Sequence, residues 1–322
     1  MKSINEIKSI AKSTIELEGH AILRLLEFIN DDFGKVVQEI LNSNGRLIVT
    51  GIGKSANIAQ KMVSTFNSTG QPSIFMHAAD ALHGDLGNIQ AQDIVVCISK
   101  SGSTPEIKTL LPLLKEMGNT IVAITGTSDS YLSQQSDWTI LSKVDKEACP
   151  NNLAPTTSTT AQLVIGDALA VCLLECRNFS DKDFAKYHPG GALGKRLFLK
   201  VDDLCSENSM PCVGPSETIK NVIVEISNKR LGATAVIENN ILVGIITDGD
   251  IRRMLENEGA DWGSLVAKDI MSEKPKTIQS TELAAKALTI MEDNNISQLI
   301  VCKGESYHGI VHIHDILKEG IL

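Results

Sequence analysis

The residues from Ser99 to Thr104 form the part of this chain best suited to bind an anion. They follow an apolar run at residues 93–98 that predicts a buried parallel strand, and they precede apolar residues at helical spacing in 107–114. Thr104 is the predicted N-cap of that helix and Pro105 its first residue, so the loop meets the positive end of a helix dipole. Backbone N–H groups there, together with four hydroxyls, predict a phosphate site formed by Ser99, Ser101, Ser103 and Thr104. A loop that only caps a helix would show the same pattern.

Glu106 lies in the first turn of the predicted helix, directly after this loop. Its carboxylate would stand beside a bound phosphate ester, where a base can act on the attached carbon chain. The spacing therefore predicts a phosphate grip with an adjacent general base.

A second glycine-containing turn, Gly51-Ile52-Gly53-Lys54-Ser55-Ala56, follows another predicted strand. It fits a dinucleotide fingerprint, but no acidic residue ends a strand about 20 residues later, and Ile48 stands where a Walker A loop needs glycine. The preferred interpretation is a tight turn that brings Lys54 and Ser55 to the carboxyl edge of a parallel sheet, where open α/β sheets bind ligands.

Other polar groups occur at places that suit a site. His83 follows the second predicted strand, and His188 lies in His188-Pro189-Gly190-Gly191, a turn that would hold an imidazole in a fixed position. A run of five hydroxyl residues opens a long predicted helix. Three of them are candidates to hold the sugar or its phosphate: Thr156, Ser158 and Thr159. Helix capping is an equally good explanation for a hydroxyl residue at this place. No spacing of histidines or cysteines is diagnostic of a metal site, so neither a metal nor a cofactor is expected.

Composition limits the function classes further. The chain has 322 residues, 43% hydrophobic and 21% charged, with a net charge of -9. A net negative charge argues against a broad nucleic-acid footprint, and no apolar run suggests a membrane span or a secretory signal. The seven cysteines form no Cys-x-x-Cys pair, which favours free thiols in a reducing cytoplasm.

These residues need a fold that brings strand ends together. Short apolar runs at 47–50, 73–76, 94–98, 120–125 and 138–141 alternate with amphipathic segments. The alternation predicts an α/β domain with a doubly wound, five-stranded parallel sheet. A helix from Thr157 to Cys176 is expected to cover one face.

After about residue 200 the sequence repeats itself. Gly244-Ile245 corresponds to Gly309-Ile310, and Asp250-Ile251 corresponds to Asp315-Ile316. Each copy is predicted as helix, strand, strand, helix, and the two copies should pack face to face. The expected domains are residues 1–200 and an α+β pair at 205–322, with repeats of about 205–258 and 265–322.

Two resemblances follow from these motifs. The repeats, with Gly244-x-x-Thr247-x-x-Asp250, resemble a tandem CBS pair. The first 200 residues resemble a sugar isomerase (SIS) domain, most specifically at five stretches: residues 51–55, 83–87, 146–150, 153–160 and 188–194. The order of the two resembles the arabinose-5-phosphate isomerase family.

That resemblance implies a specific reaction. It is the interconversion of D-ribulose 5-phosphate and D-arabinose 5-phosphate through a cis-enediol, on the route to the Kdo sugar of lipopolysaccharide. It implies Glu106 as the base, His188 as the acid or base that opens the ring, and Lys54 and His83 as groups that stabilise the enediolate.

The resemblance also has implications beyond the catalytic residues. A homotetramer is expected, and Thr247 and Asp250 become candidates to hold a nucleotide or sugar-nucleotide effector. Lys100 stands where family members usually carry a smaller polar residue, and it would either bind the phosphate or point into solvent.

Two other classes stay open at this point. A sugar-phosphate-binding regulator of the same fold would bind without turnover, and an NAD-dependent enzyme would use the Gly51–Ala56 turn.

Overall fold

The computed structural model describes residues 1–205, 210–256 and 262–321, and it divides into two compact units, Met1–Tyr187 and His188–Leu322. The expected boundary near residue 200 falls within the second unit. The expected repeat ends at residues 258 and 322 lie outside the described residues.

The first unit is built on a sheet of five parallel strands, as the alternating pattern predicted. They are β1 (Leu47–Gly51), β2 (Ser73–His77), β3 (Ile94–Ser99), β4 (Thr120–Thr125) and β5 (Trp138–Leu141). Their order across the sheet is β2-β1-β3-β4-β5. β1 and β3 are buried along their whole length, which explains their continuous apolar sequences.

The strand order reverses between β1 and β3. The chain moves from β1 outward to β2 and then crosses back to β3 on the other side of β1. The register pairs Gly51 with His77 on one side and with Ile98 on the other, so these strands end side by side. Ligands of open α/β sheets bind at such a switch point, just beyond the carboxyl ends of the strands.

Helices cover both faces of this sheet. In chain order they are α1 (Ile4–Arg24), α2 (Asp31–Asn42), α3 (Lys54–Ser68), α4 (Ala78–Ala81), α5 (Pro105–Glu116), α6 (Tyr131–Gln135), α7 (Thr157–Cys176) and α8 (Asp181–Tyr187), with 3-10 turns at Leu25–Phe28 and Asp85–Asn88. Helices α2, α3 and α7 share one hydrophobic cluster with one face of the sheet. Helices α4, α5 and α6 share the other.

Helix α7 spans the residues that the sequence predicted, Thr157–Cys176. By length and composition alone it could cross a membrane. Its apolar residues Ala161, Ile165 and Leu169 instead lie in the cluster with α2 and α3, and it contacts both helices. These contacts are typical of a core helix.

The second unit contains the two predicted copies. The helices are α9 (Ala192–Phe198), α10 (Val201–Cys205), α11 (Ile219–Lys229), α12 (Asp248–Leu255), α13 (Ala267–Ile270), α14 (Ala284–Asp293) and α15 (Ile313–Lys318). The strands are β6 (Cys212–Val213), β7 (Ala233–Glu238), β8 (Ile241–Thr247), β9 (Ser272–Glu273), β10 (Thr277–Gln279), β11 (Gln298–Lys303) and β12 (Ser306–His312). They form two sheets, β6-β7-β8-β9 and β10-β11-β12.

The two copies match in detail. Helices α11 and α14 occupy equivalent places, as do hairpins β7-β8 and β11-β12. The pairing register of each hairpin shifts at the equivalent position, after Val236 in the first copy and after Val301 in the second. A shared hydrophobic cluster contains Ala233 and Ala235 of the first copy and Ile300 and Ile310 of the second. Each copy therefore covers apolar surface of the other, as the repeat predicted.

Candidate active site

The predicted phosphate loop lies at the carboxyl end of β3, on one side of the switch point. Thr104 is the N-cap residue of α5 and Pro105 its first residue, as expected, but the Thr104 hydroxyl makes no capping bond. It instead lies 2.8 Å from the Ser99 hydroxyl. The start of α5 therefore keeps N–H groups that its own cap residue does not satisfy, which suits an anion.

Gly102 closes this loop. Its φ is +60°, and a Cβ placed on it would lie 2.1 Å from the Ser130 hydroxyl oxygen. Its N–H donates to the Ser99 side chain at 3.1 Å, and its carbonyl accepts from the N–H of Leu132 at 2.8 Å. Backbone and side-chain bonds thus hold the loop in one shape. The exposed hydroxyls of Ser101 and Ser103 lie at its outer surface.

Lys100 reaches across from the phosphate loop to Glu147. Its ammonium forms an ion pair with this carboxylate, whose side chain is fully buried. The sequence leaves Lys100 with two roles, phosphate contact or solvent. Its side chain is 46% exposed and its ammonium is bound to Glu147, so it does not point freely into solvent, and phosphate contact stays a prediction. Sequence reasoning did not single out Glu147 as a site residue. The sequence signal that could have identified Glu147 is its position after β5, the last strand of the sheet, at the edge where ligands bind.

Glu147 also holds the hydroxyl-rich start of α7. Its oxygens accept from the N–H groups of Thr156 at 2.9 Å and Ser158 at 3.1 Å, and from the Ser158 hydroxyl. Burial acts to raise the pKa of Glu147, but hydrogen bonds from Lys100, Ser158 and Thr156 outweigh it and lower the pKa to about 2. The carboxylate is therefore ionised at neutral pH.

The three hydroxyls that were candidates for sugar contact have different surroundings. Ser158 is only 1% exposed and is bound to Glu147. The Thr156 hydroxyl donates to the same carboxylate at 3.3 Å. The Thr159 hydroxyl donates to the carbonyl of Thr156 at 2.8 Å.

Lys54 and Ser55 begin α3 at the end of β1, on the other side of the switch point. Lys54 is exposed and lines an open groove of about 680 Å³ together with Asn57, Gln60 and His77. The structure describes all four predicted catalytic residues. Of these four, Lys54 alone lines this groove. Ser55 donates to the side chain of Gln162 on α7 at 3.2 Å.

Glu106 and His83 lie on elements of the opposite face. Glu106 is half-buried in the first turn of α5. His83 lies two residues after the end of α4, and its N–H donates to the carbonyl of Asp80 at 2.9 Å. Helices α4 and α5 share one hydrophobic cluster, so the helix that precedes His83 packs with the helix that carries Glu106. Asp80 lies within α4, with a carboxylate oxygen 3.8 Å from Nδ1 of His77.

His188 is the first residue of the second compact unit, outside the unit that holds the other three predicted catalytic residues. The turn that follows it is tight: a Cβ placed on Gly194 would lie 2.2 Å from the carbonyl oxygen of His188. Across residues 1–205, 210–256 and 262–321, no group of three or more potential metal ligands converges.

Thr247 and Asp250 border a cavity of about 600 Å³ between the two copies of the second unit. Thr247 caps α12, and its hydroxyl and N–H donate to Asp250 at 2.6 and 2.8 Å. Arg253 and Ser272 bind the other carboxylate oxygen. Burial opposes ionisation of Asp250, but the hydrogen bonds from Thr247 and Arg253 prevail and lower its pKa. His312 caps α15 at the equivalent place in the second copy.

Comparison with known proteins agrees with this architecture. The SIS domain family matches residues 39–172, and the CBS domain family matches residues 201–257 and 267–321. Arabinose 5-phosphate isomerase KdsD of Francisella tularensis is 46% identical over 96% of this chain and 95% of its own length. KdsD of Pseudomonas aeruginosa is 45% identical over 97% and 96%.

The chain belongs to the arabinose 5-phosphate isomerase family. A solved Escherichia coli CFT073 protein in complex with arabinose 5-phosphate is 37% identical, with a TM-score of 0.57, and is covered completely by 58% of this chain. Because the match to the KdsD proteins extends over nearly the full length, it includes the phosphate loop, Glu147 and the CBS pair together.

Proposed function

We propose that this protein is an aldose–ketose isomerase that interconverts D-arabinose 5-phosphate and D-ribulose 5-phosphate and so feeds Kdo and lipopolysaccharide synthesis. One observation carries the proposal: a rigid hydroxyl-lined loop meets the uncapped start of α5 with Glu106 in that same first turn. Membership of the isomerase family supports the choice of substrate, as does the relative solved with arabinose 5-phosphate.

The reaction needs a phosphate grip and a base. Ser55, Ser99, Ser101, Ser103 and Thr104 hold the phosphate by this proposal. Glu106 takes the proton from C2 of the open-chain aldose and returns one to C1, through a cis-enediol. Its half-buried place beside the loop suits a base that must reach the carbon chain and not the ester.

The remaining charges stabilise the enediolate oxygens. Lys54 and His83 follow β1 and β2 at the same sheet edge, and either one can polarise the carbonyl. His188 is proposed as the group that opens the sugar ring, on the resemblance of its His-Pro-Gly-Gly motif alone. Thr156 and Thr159 are proposed to bind the sugar at the start of α7, and the buried Ser158 helps Glu147 to hold that segment in place.

We also propose a homotetramer. None of the 21 residues of α1 is buried, and apolar side chains lie exposed along it, including Ile4, Ile7 and Ile15 at 78%, 55% and 72%. Contiguous apolar surface of this kind marks an interaction site. A second copy of the chain is the proposed occupant.

The CBS pair is proposed to bind a nucleotide or sugar nucleotide in the cavity beside Thr247 and Asp250. Lys274, Lys276 and Arg253 line the same cavity and supply positive charge for phosphates. Calorimetric titration with adenine nucleotides and CMP-Kdo tests this. Binding should weaken in Lys276→Gln, and no heat from any of these compounds would contradict it. Lys276→Gln is a cleaner probe than an Asp250 variant, because Asp250 also caps α12.

A cytoplasmic location is proposed as well. All seven cysteines are free thiols, and burial raises the pKa of Cys97 to about 12. Unpaired thiols suit a reducing compartment.

The isomerase proposal is tested by incubating purified protein with arabinose 5-phosphate and assaying ribulose 5-phosphate. Turnover is expected without added nicotinamide or metal. Saturable binding of arabinose 5-phosphate without any ketose formation would overturn it and favour the non-catalytic regulator.

A further inference from the structure

Ser55 and Gln162 form a polar contact between α3 and α7 beside the switch point. The Ser55 hydroxyl donates to Oε1 of Gln162 at 3.2 Å, and Gln162 is only 1% exposed. The two helices are held together near this contact. Lys61 pairs with Asp167, and Gly166 lets α7 approach Met62 so closely that an added Cβ would lie 2.5 Å from Met62 Cγ. The Gln162 side chain is therefore held next to the start of α3.

The other end of the Gln162 amide, Nε2, is buried and has no hydrogen-bond partner among the described residues. Leaving a buried donor unpaired costs about 1–3 kcal/mol. A half-turn of the amide about its Cγ–Cδ bond exchanges Nε2 and Oε1 without changing the shape of the side chain. Nε2 would then donate to the Ser55 oxygen, and Oε1 would occupy the buried position that has no partner among the described residues.

This rotation changes what Ser55 can offer a ligand. A serine hydroxyl has one hydrogen to donate. While Oε1 of Gln162 accepts that hydrogen, a phosphate cannot. When Nε2 donates to the oxygen instead, the hydrogen is available to an anion at the start of α3.

We propose that Gln162 is a positioning residue that acts through Ser55: its amide donates to the Ser55 oxygen when the substrate is bound and so directs the Ser55 hydrogen to the phosphate. This inference rests on the proposed phosphate role of Ser55. By this proposal Gln162 contributes to substrate affinity and takes no part in the chemical step.

A double-mutant cycle on the full-length protein tests the proposal. Gln162→Glu presents only acceptor oxygens when ionised, so it should hold the Ser55 hydrogen and raise KM for arabinose 5-phosphate about tenfold at pH 8, with kcat within about twofold. In the Ser55→Ala background the same change should raise KM less than about threefold. Gln162→Met, which frees the Ser55 hydrogen, should raise KM less than Gln162→Glu.

Three results would overturn the proposal. They are an equal rise in KM in both backgrounds, a larger rise for Gln162→Met than for Gln162→Glu, or a lower melting temperature with unchanged KM. Calorimetric titration of the same variants with inorganic phosphate needs no turnover. If the wild-type protein does not isomerise the sugar, the proposed function fails, and the phosphate affinities still decide whether Gln162 and Ser55 are coupled.

Discussion

Glu147 connects the phosphate loop to the start of α7 through a single ionised carboxylate. It is 2% exposed and binds Lys100, Thr156 and Ser158 at once. Losing one partner of a buried ion pair leaves the other charge uncompensated. The pair should therefore matter to both stability and loop position.

Acid stability follows from the lowered pKa of Glu147. Because the folded-state pKa is about 2 and the ordinary value is 4.5, its contribution is complete above pH 4.5 and declines as the pH falls toward 2. Gln at this position cannot titrate. The free energy of unfolding of Glu147→Gln should be lower than wild type at pH 7 and should fall less steeply below pH 4.5. Urea denaturation across this range measures both slopes, and identical slopes would contradict the assignment.

At the scale of elements, the β3–α5 loop is kept in shape by its fit against the neighbouring loop. Gly102 combines φ +60° with a space already filled by Ser130. A side chain there would both strain the backbone and displace the loop that is proposed to hold the phosphate.

Gly102→Ala should therefore raise KM for arabinose 5-phosphate at least about tenfold, which corresponds to about 1.4 kcal/mol. Gly118→Ala is the matched control, because Gly118 also has positive φ (+78°) but no atom within 4 Å of an added Cβ. The control should lose stability by about 1–2 kcal/mol from backbone strain and keep KM unchanged. Steady-state kinetics and thermal melts separate the two effects. Equal KM values for Gly102→Ala and Gly118→Ala would contradict the claim that substrate binding depends on the shape of the β3–α5 loop.

At the scale of the whole molecule, α1 determines assembly by our proposal. Replacing Ile7 and Ile15 together with Asp places charges on its exposed apolar face and should yield a smaller species in light scattering after gel filtration. Ser9→Asp and Ser13→Asp together are the matched control: both residues are exposed on the other side of the same helix, so the same added charge should leave the mass unchanged. A wild-type mass equal to one chain would contradict the tetramer.

The fold could be predicted from the sequence because the patterns that indicate it are local and repeated. Hydrophobic runs separated by amphipathic segments predicted five parallel strands, and the repeat predicted the two packed copies. Helix α7 was predicted to its observed bounds, since its hydroxyl-rich start and its apolar residues at helical spacing are both visible within Thr157–Cys176.

Contacts between residues that lie far apart in the sequence could not be predicted from it. Lys100 and Glu147 are 47 positions apart, and Ser55 and Gln162 are 107 apart. Neither pair has a spacing that indicates a partner, because the pairing depends on how α7 packs beside the sheet edge. The sequence also assigned His188 to the isomerase domain, and the chain's compact units divide just before it.

The most direct test of the central claim follows hydrogen at the reacting carbons. Arabinose 5-phosphate is incubated with wild-type protein and with Glu106→Gln in deuterated water, and the products are followed by NMR. We predict ribulose 5-phosphate carrying solvent deuterium at C1 for the wild type, and a rate at least about 100-fold lower for Glu106→Gln. Equal rates for the two proteins would contradict Glu106 as the base, and no conversion by either would contradict the isomerase itself.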